Sequence, residues 1–145
     1  MSGPFYGASQ DRLLAILPQG TLASVLVEHA DRPIAALLTS HHPGQELLEL
    51  EAAIVSLLDA GCDYFVCFGA TSEGLHDYID HVALAAASAS DRTVMTTWHD
   101  DEPAADVADF FFNAAGVEDR TLLVALLGPE DKDLSRLLIE RASQR

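Results

Sequence analysis

Residues that could do chemistry are concentrated in one short stretch, residues 93–103, which reads TVMTTWHDDEP. It starts like a buried strand and then places the only tryptophan, Trp98, directly before His99 and three consecutive acids. The imidazole of histidine titrates near neutral pH, so His99 could act as a general acid or base, with Asp100 orienting its ring. Trp98 could line a small-ligand pocket beside it.

The acids of this stretch also have an explanation without catalysis. Asp101 and Glu102 directly precede Pro103, which is typical of a helix start: acids there cap free N–H groups and complement the helix dipole. Capping explains neither Trp98 nor His99. For Trp98, a pocket wall and a simple cover over the end of a sheet both remain open.

A second candidate loop is FGATSEGLHD, residues 68–77, where a strand is expected to turn into a helix. Two glycines flank Thr71 and Ser72, but neither GxGxxG nor GxxxxGK[ST] is present, and no lysine follows to meet a phosphate. Thr71 or Ser72 as a helix N-cap, with Glu73 in the first turn, is the better account. By position, Ser72 and Glu73 are still candidates for ligand binding.

Histidines supply the remaining candidates. His76 with Asp80, and Asp77 with His81, are spaced four apart on one helix, which suits metal ligands but is more often a solvated pair. A metal held by His41, His42, His76 and His99 is conceivable, but no HExxH or comparable spacing supports it, so we predict neither metal nor cofactor. His76, nearest the helix start, and His42, in the loop SHHPG, could still reach a ligand. The complete candidate ligand-binding set is Trp98, Ser72, Glu73, His76 and His42.

The two cysteines, Cys62 and Cys67, are predicted to be free thiols. Five residues of extended chain separate them by roughly 16 Å, beyond disulfide reach, and this suggests a reducing compartment. Cys67 lies inside a predicted strand and is expected to be an inert core residue. Ser72 lacks a GxSxG elbow, so no serine or cysteine triad is predicted.

The elements that must position these residues alternate between strand and helix. Predicted strands cover residues 33–40, 63–69, 92–99 and 120–128, and predicted helices cover 45–61 with Gly61 as C-cap, 71–90, 102–116 and 129–142. The strands are continuously apolar, as in parallel sheets covered on both faces. We predict a three-layer α/β domain with a four-stranded, mainly parallel sheet, flavodoxin-like or Rossmann-like.

Ligands of open α/β sheets bind at the carboxyl ends of the strands, and the candidate loops follow predicted strands. Parallel strands are therefore expected to bring Trp98 and His99 into one rim. Strand order is not readable from the sequence, beyond an expected switch of direction near the strand at residues 33–40.

The length of 145 residues fits a single domain. Residues 34–145 hold the β/α repeats, and residues 1–33 are interpreted as an N-terminal helical extension. In that extension a short helix is expected near residues 10–17. Residues 21–29 keep helical spacing, although the valines there would also suit a strand.

Charge is the strongest global signal, with 23 acids, 8 lysines and arginines, and a net charge of −15. Such a chain has few side chains to neutralise phosphates, so neither nucleic acid nor an anionic membrane is expected as a partner. A cationic protein would be attracted, although the charge could also serve solubility alone. The start has no signal-peptide pattern and no apolar run reaches membrane-spanning length, so we expect a soluble, cytoplasmic protein.

Two segments, GCDYFVCFG and TTWHDDEPAADVADFFFNAA, resemble a family of uncharacterised bacterial domains. That family combines a Gly-Cys-x-Tyr/Phe strand start with a Thr-Thr-Trp-His-x-Asp-Glu-Pro segment that enters an aromatic-rich helix. The matching residues are Gly61, Cys62, Tyr64, Gly69, Thr96, Thr97, Trp98, His99, Asp101, Glu102 and Pro103. The resemblance covers about residues 34–127. It implies no established activity, but it favours a role for residues 96–103 beyond starting a helix.

Two functions from different classes fit these observations. The first is a small binding or regulatory domain, immunity-like or antitoxin-like, whose acidic surface meets a cationic partner. The second is a small hydrolase or lyase with His99 as general acid or base. Catalysis requires His99 to open into a pocket shared with loops 69–74 and 41–43. The wide apolar face of 102–116 also makes a homodimer plausible.

Overall fold

The computed structural model of the chain describes residues 5–9, 12–17, 33–39, 47–86, 93–115, 122–127 and 131–143. The strands are β1 (Phe5–Ser9), β2 (Arg12–Leu17), β3 (Ile34–Thr39), β4 (Tyr64–Phe68), β5 (Met95–His99) and β6 (Leu122–Leu126). The α-helices are α1 (Leu47–Asp59), α2 (Ser72–Ala85), α3 (Ala104–Phe110) and α4 (Lys132–Ser143), and α3 continues into a π-helical turn, Phe111–Ala115. In the part of the chain so described, no helix is long and apolar enough to cross a membrane.

The strands form one sheet in the order β1-β2-β6-β3-β4-β5. Strands β2, β6, β3, β4 and β5 run parallel, and β1 pairs antiparallel with β2. The predicted α/β class with a mainly parallel sheet flanked by helices is therefore confirmed, with five parallel strands instead of four. The predicted switch of direction is also confirmed, since β4 and β5 lie on one side of β3 and β6 lies on the other.

The helix predicted near residues 10–17 is wrong. Residues Arg12–Leu17 form β2, which pairs with β6 from Leu13↔Leu122 to Leu17↔Leu126. A short apolar run such as RLLAIL cannot be assigned to helix or strand by periodicity alone. Here the segment is a strand because it pairs with β6. Residues 21–29, for which a helix was favoured, lie outside the described residues.

Helices α1 and α2 cover one face of the sheet, and α3 and α4 cover the other. Successive strand residues point to opposite faces, so Ala36 and Leu38 of β3 pack with α1 and α2, while Leu37 packs with α3 and α4. The wide apolar face predicted for 102–116 belongs to this interior: its buried side chains are Val107, Ala108, Phe111 and Phe112. That face gives no reason for dimerisation, and the homodimer stays a prediction.

The connections after β4 and β5 leave toward opposite faces of the sheet. Helix α2 follows β4 on one face, and α3 follows β5 on the other. Where two neighbouring strands send their chains to opposite faces, a crevice opens at their carboxyl ends, and ligands of open α/β sheets bind in such crevices. The described chain has this geometry at β4 and β5, and also at β6 and β3, where the strand order reverses.

Helix α1 ends at Asp59, and Gly61 caps its carboxyl end as the sequence predicts. The φ of Gly61 is +100°, in the left-handed region. Its N–H donates to the carbonyl of Leu58 at 3.0 Å, and the N–H of Cys62 donates to that of Leu57 at 2.9 Å. These bonds satisfy carbonyls that the helix end leaves open, and the turn directs the chain into β4.

We expect Gly61→Ala to lower the free energy of unfolding by about 1 kcal/mol, because a Cβ disfavours left-handed backbone. An added Cβ would meet nothing within 4 Å, so the cost is confined to the backbone. Gly74→Ala is the matched control. Gly74 lies in α2 with the same open surroundings and no left-handed φ, so alanine there should raise stability by about 0.5 kcal/mol. Urea unfolding measures both, and equal effects would contradict this account.

Candidate functional site

Trp98 and His99 are neighbours in sequence but lie on opposite faces of β5. Trp98 contacts His76 of α2, and His99 contacts Phe110 of α3. The expectation that both side chains share one rim is therefore wrong, because side chains alternate along a strand. The parallel strands on which that expectation was based are present. Strand β5 thus has two separate clusters to consider.

His99 sits in a closed cluster on the α3 face. Its Nδ1 lies 2.7 Å from a Glu102 carboxylate oxygen, and its Nε2 lies 3.1 Å from the Thr97 hydroxyl. The ring is 4.8 Å from the Phe110 ring, centroid to centroid, and His99 is only 7% exposed. A carboxylate can only accept, so this geometry favours Nδ1–H donating to Glu102 and the hydroxyl donating to Nε2.

The acid that contacts His99 is Glu102, where the sequence predicted Asp100. Asp100 and Asp101 are exposed in the turn that follows β5. The predicted capping role of Glu102 is also wrong: Pro103 occupies the N-cap position of α3 and there is no side-chain capping bond. The chain bends back after His99, and this brings the residue three positions later to the ring. The Glu102–His99 contact therefore closes the turn between β5 and α3.

The second cluster, on the α2 face, is here called the Trp98 patch and consists of Trp98, His76, Asp77 and Asp80. Trp98 is 42% exposed, and its ring lies 4.6 Å from that of His76 at an interplanar angle of 58°. His76 Nδ1 lies 3.0 Å from Asp77 Oδ1, and its Nε2 lies 3.5 Å from Asp80 Oδ2. Asp80 Oδ1 also accepts a 2.9 Å hydrogen bond from the Thr96 hydroxyl.

The patch is acidic and open to solvent. Asp77 is exposed and Asp80 is partly exposed, and Asp100 and Asp101 lie just beyond the end of the same strand. The ion pairs of Arg136 and Arg141 lie elsewhere, within α4 and between α4 and Asp109 of α3. An exposed indole beside carboxylates is suited to a cationic group.

The other predicted site residues are placed less favourably for a ligand. Thr71 occupies the predicted N-cap position of α2, and Glu73 is exposed in its first turn, but the Thr71 side chain makes no capping hydrogen bond. Ser72 is fully buried, and its hydroxyl has no hydrogen-bond partner among the described residues. His42 lies outside the described residues. Among the residues that are described, no group of three or more His, Cys, Asp or Glu could hold a metal ion.

Three contacts of His99 were not predicted from the sequence. Thr97 shares a strand face with His99 at a separation of two, Glu102 meets it across a turn, and Phe110 comes from the next helix. A T-x-H-x-x-E spacing at the end of a strand is the signal that could have identified the first two. Nothing local could have identified the Phe110 contact, because it depends on how α3 packs.

The described chain is an α/β domain with candidate contacts on both faces of the edge strand β5. Its sequence matches the model of a family described as a domain of unknown function, DUF7684, over residues 13–141, and the chain belongs to that family. The expected kinship with an uncharacterised domain family is thereby confirmed. The matched span includes residues 96–103. No curated protein matches the chain.

Both cysteines are buried and neither forms a disulfide, as predicted. Burial, together with the negative charge of Asp80, raises the pKa of Cys67 to about 12. A thiol that stays protonated at neutral pH is a poor nucleophile. Cys67 therefore acts as a small core residue of β4.

We expect the raised pKa of Cys67 to make stability fall with alkaline pH. Between about pH 9, where the thiol ordinarily ionises, and about pH 12, the unfolded chain loses a proton that the folded chain retains. Ionisation thus favours the unfolded state as the pH rises through this window. Urea unfolding at pH 7 and pH 10 should show a larger drop for the native protein than for Cys67→Ala. An equal drop in both proteins would show that Cys67 does not cause it.

Proposed function

We propose that this protein is a small cytoplasmic binding or regulatory domain that recognises a cationic protein partner through the Trp98 patch. The observation that carries the proposal is an exposed tryptophan, at the end of an edge strand, set among carboxylates. The only tryptophan of the chain is 42% exposed there and packs on a histidine held by Asp77 and Asp80.

Lysine and arginine side chains fit this surface for two reasons. The face of an indole attracts a cation through its quadrupole, by about 0.5–1 kcal/mol at exposed sites. The carboxylates beside the ring add charge pairs, and the net charge of −15 would accelerate the encounter at low salt. An immunity-like or antitoxin-like domain that neutralises a basic protein is one form this function could take.

The competing explanation, an acidic surface that only maintains solubility, accounts for the charge but not for Trp98. Large exposed apolar side chains do not improve solubility, and tryptophan is enriched where proteins bind one another. Two buried cysteines without a disulfide are in keeping with a reducing compartment, which supports the cytoplasmic assignment.

The proposal predicts that the carboxylates of the Trp98 patch contribute more to the binding of a cationic peptide than carboxylates elsewhere do. Titration with a hepta-arginine peptide should change the fluorescence of Trp98, and raising the salt concentration should weaken binding. Asp77→Asn with Asp80→Asn should weaken binding about tenfold, a loss of about 1.4 kcal/mol. Asp133→Asn with Glu140→Gln is the matched control, because it also removes two negative charges, but from α4. This control should change binding less than twofold.

Two results would overturn the proposal. Equal weakening by both double variants would show attraction to overall charge alone. No salt-sensitive binding of the peptide would show that the patch does not recognise cations.

A hydrolase or lyase is the second candidate, favoured by the contacts of His99. A hydroxyl contacts Nε2 of His99 and a carboxylate contacts Nδ1. This is the arrangement of nucleophile, general base and orienting acid in a catalytic triad. In such an enzyme Thr97 would attack, His99 would take the hydroxyl proton, and Glu102 would orient the ring. We rank this second because His99 is buried against Phe110 instead of opening into a pocket; loop 41–43 lies outside the described residues.

This candidate predicts labelling of Thr97 by a fluorophosphonate. The threonine oxygen would bond to phosphorus, fluoride would leave, and His99 would take the hydroxyl proton. Glu102→Gln should slow labelling at least tenfold, because the ring loses its orienting carboxylate, while Asp100→Asn should not slow it. Mass spectrometry of the labelled peptide measures both. An unlabelled native protein would remove the catalytic candidate.

A further inference from the structure

We propose that the cationic partner binds as an extended segment added to the sheet along the free edge of β5. This inference rests on the proposed function and specifies the partner: a basic segment that can adopt strand conformation. In the described sheet, β5 is the last strand on its side, and β4 is its only neighbour.

The backbone bonds of β5 show which of its groups face outward. The N–H of Met95 donates to the carbonyl of Asp63 at 2.9 Å, and the N–H of Gly69 donates to the carbonyl of His99 at 3.1 Å. In a parallel ladder, the N–H and C=O of one residue point to the same neighbour, and those of the next residue point the other way. The N–H and C=O groups of Thr96 and Trp98 therefore point away from β4.

The side chains of β5 do not protect this edge. Edge strands are usually guarded by lysine, proline, inward-pointing charges or a bulge, because open N–H and C=O groups attract further strands. The sequence of β5, MTTWH, contains neither lysine nor proline, and its pairing with β4 is regular throughout. It exposes one large apolar side chain on each face: Met95 is 47% exposed, and Trp98 is 42% exposed.

The negative charge around β5 favours a cationic segment at its free edge. Asp80 contacts Thr96 on the edge strand, and Asp100 and Asp101 are exposed just past its carboxyl end. A second copy of this chain would bring the same carboxylates together across the new strand pair. A segment with alternating lysines instead meets opposite charges and can place a lysine over Trp98, so a cationic segment fits this edge better than a second copy.

Backbone amide exchange tests the inference directly. The probe is an acetylated, amidated Lys-Val-Lys-Val-Lys-Val-Lys peptide, and exchange of each β5 amide is measured by NMR with and without it. Thr96 and Trp98 amides should exchange at least tenfold more slowly with the peptide. Amides of Met95, Thr97 and His99 are the internal control, since they already face β4 and should change little.

A peptide of the same sequence with every backbone amide N-methylated keeps the charges but cannot donate to the edge. It should bind at least tenfold more weakly by Trp98 fluorescence. Within the protein, Thr96→Pro removes an outward N–H and should weaken binding of the unmethylated peptide. Thr96→Val loses the same hydroxyl but keeps the N–H, so Thr96→Pro should bind the peptide at least tenfold more weakly than Thr96→Val. Circular dichroism tests whether both variants fold. If Thr96→Pro does not fold, binding of the methylated and unmethylated peptides to the native protein tests strand addition.

The remaining outcomes separate this inference from the proposed function. Salt-sensitive peptide binding without protection of Thr96 and Trp98 would overturn strand addition and leave recognition by the Trp98 patch standing. Protection of these amides without peptide would also overturn it: if the protection rises with protein concentration, a second copy occupies the edge, and if it does not, a segment of this chain does. No binding of this peptide would overturn strand addition, and only if hepta-arginine also fails to bind would recognition by the Trp98 patch fall with it.

Discussion

The parallel pairing of β4 with β5 is the constraint on which the rest of the site depends. It places Phe68 opposite His99 at the carboxyl ends of the two strands, where their chains leave toward opposite faces. The same pairing uses the N–H and C=O groups of alternate β5 residues and leaves the others outward. Both clusters of β5 and its free edge are consequences of this one ladder.

The fold was predictable where the local signal and the tertiary structure agree. The continuous apolar runs of β3 and β4 and the C-cap at Gly61 could each be identified from sequence, because full burial and a left-handed turn restrict the residue types. Strand β2 was not predictable, since six apolar-rich residues fit a helix or a strand until a neighbour with a free edge is known. The strand count therefore rose from four parallel strands to five.

In the candidate site, too, features set by the local sequence were predictable and features set by the tertiary structure were not. The sequence located Trp98 and His99 at the carboxyl end of a strand, which needs only the order of the elements. It named Asp100 as the partner of His99 because that residue is adjacent, whereas an adjacent residue on extended chain points to the other face. Glu102 reaches the ring only because the chain turns back after β5, and such a turn is a property of the fold.

The two faces of β5 have different consequences for function. On the α3 face, Glu102 and Thr97 occupy both nitrogens of His99, and Phe110 covers the ring, so the turn after β5 is fixed from inside. This anchoring leaves Asp100 and Asp101 exposed beyond the strand end, close in sequence to the exposed indole on the other face. The buried histidine anchors the turn after β5 through Glu102, while the exposed tryptophan is held by the pairing of β5 with β4. One short segment, residues 96–103, therefore contributes side chains to both clusters.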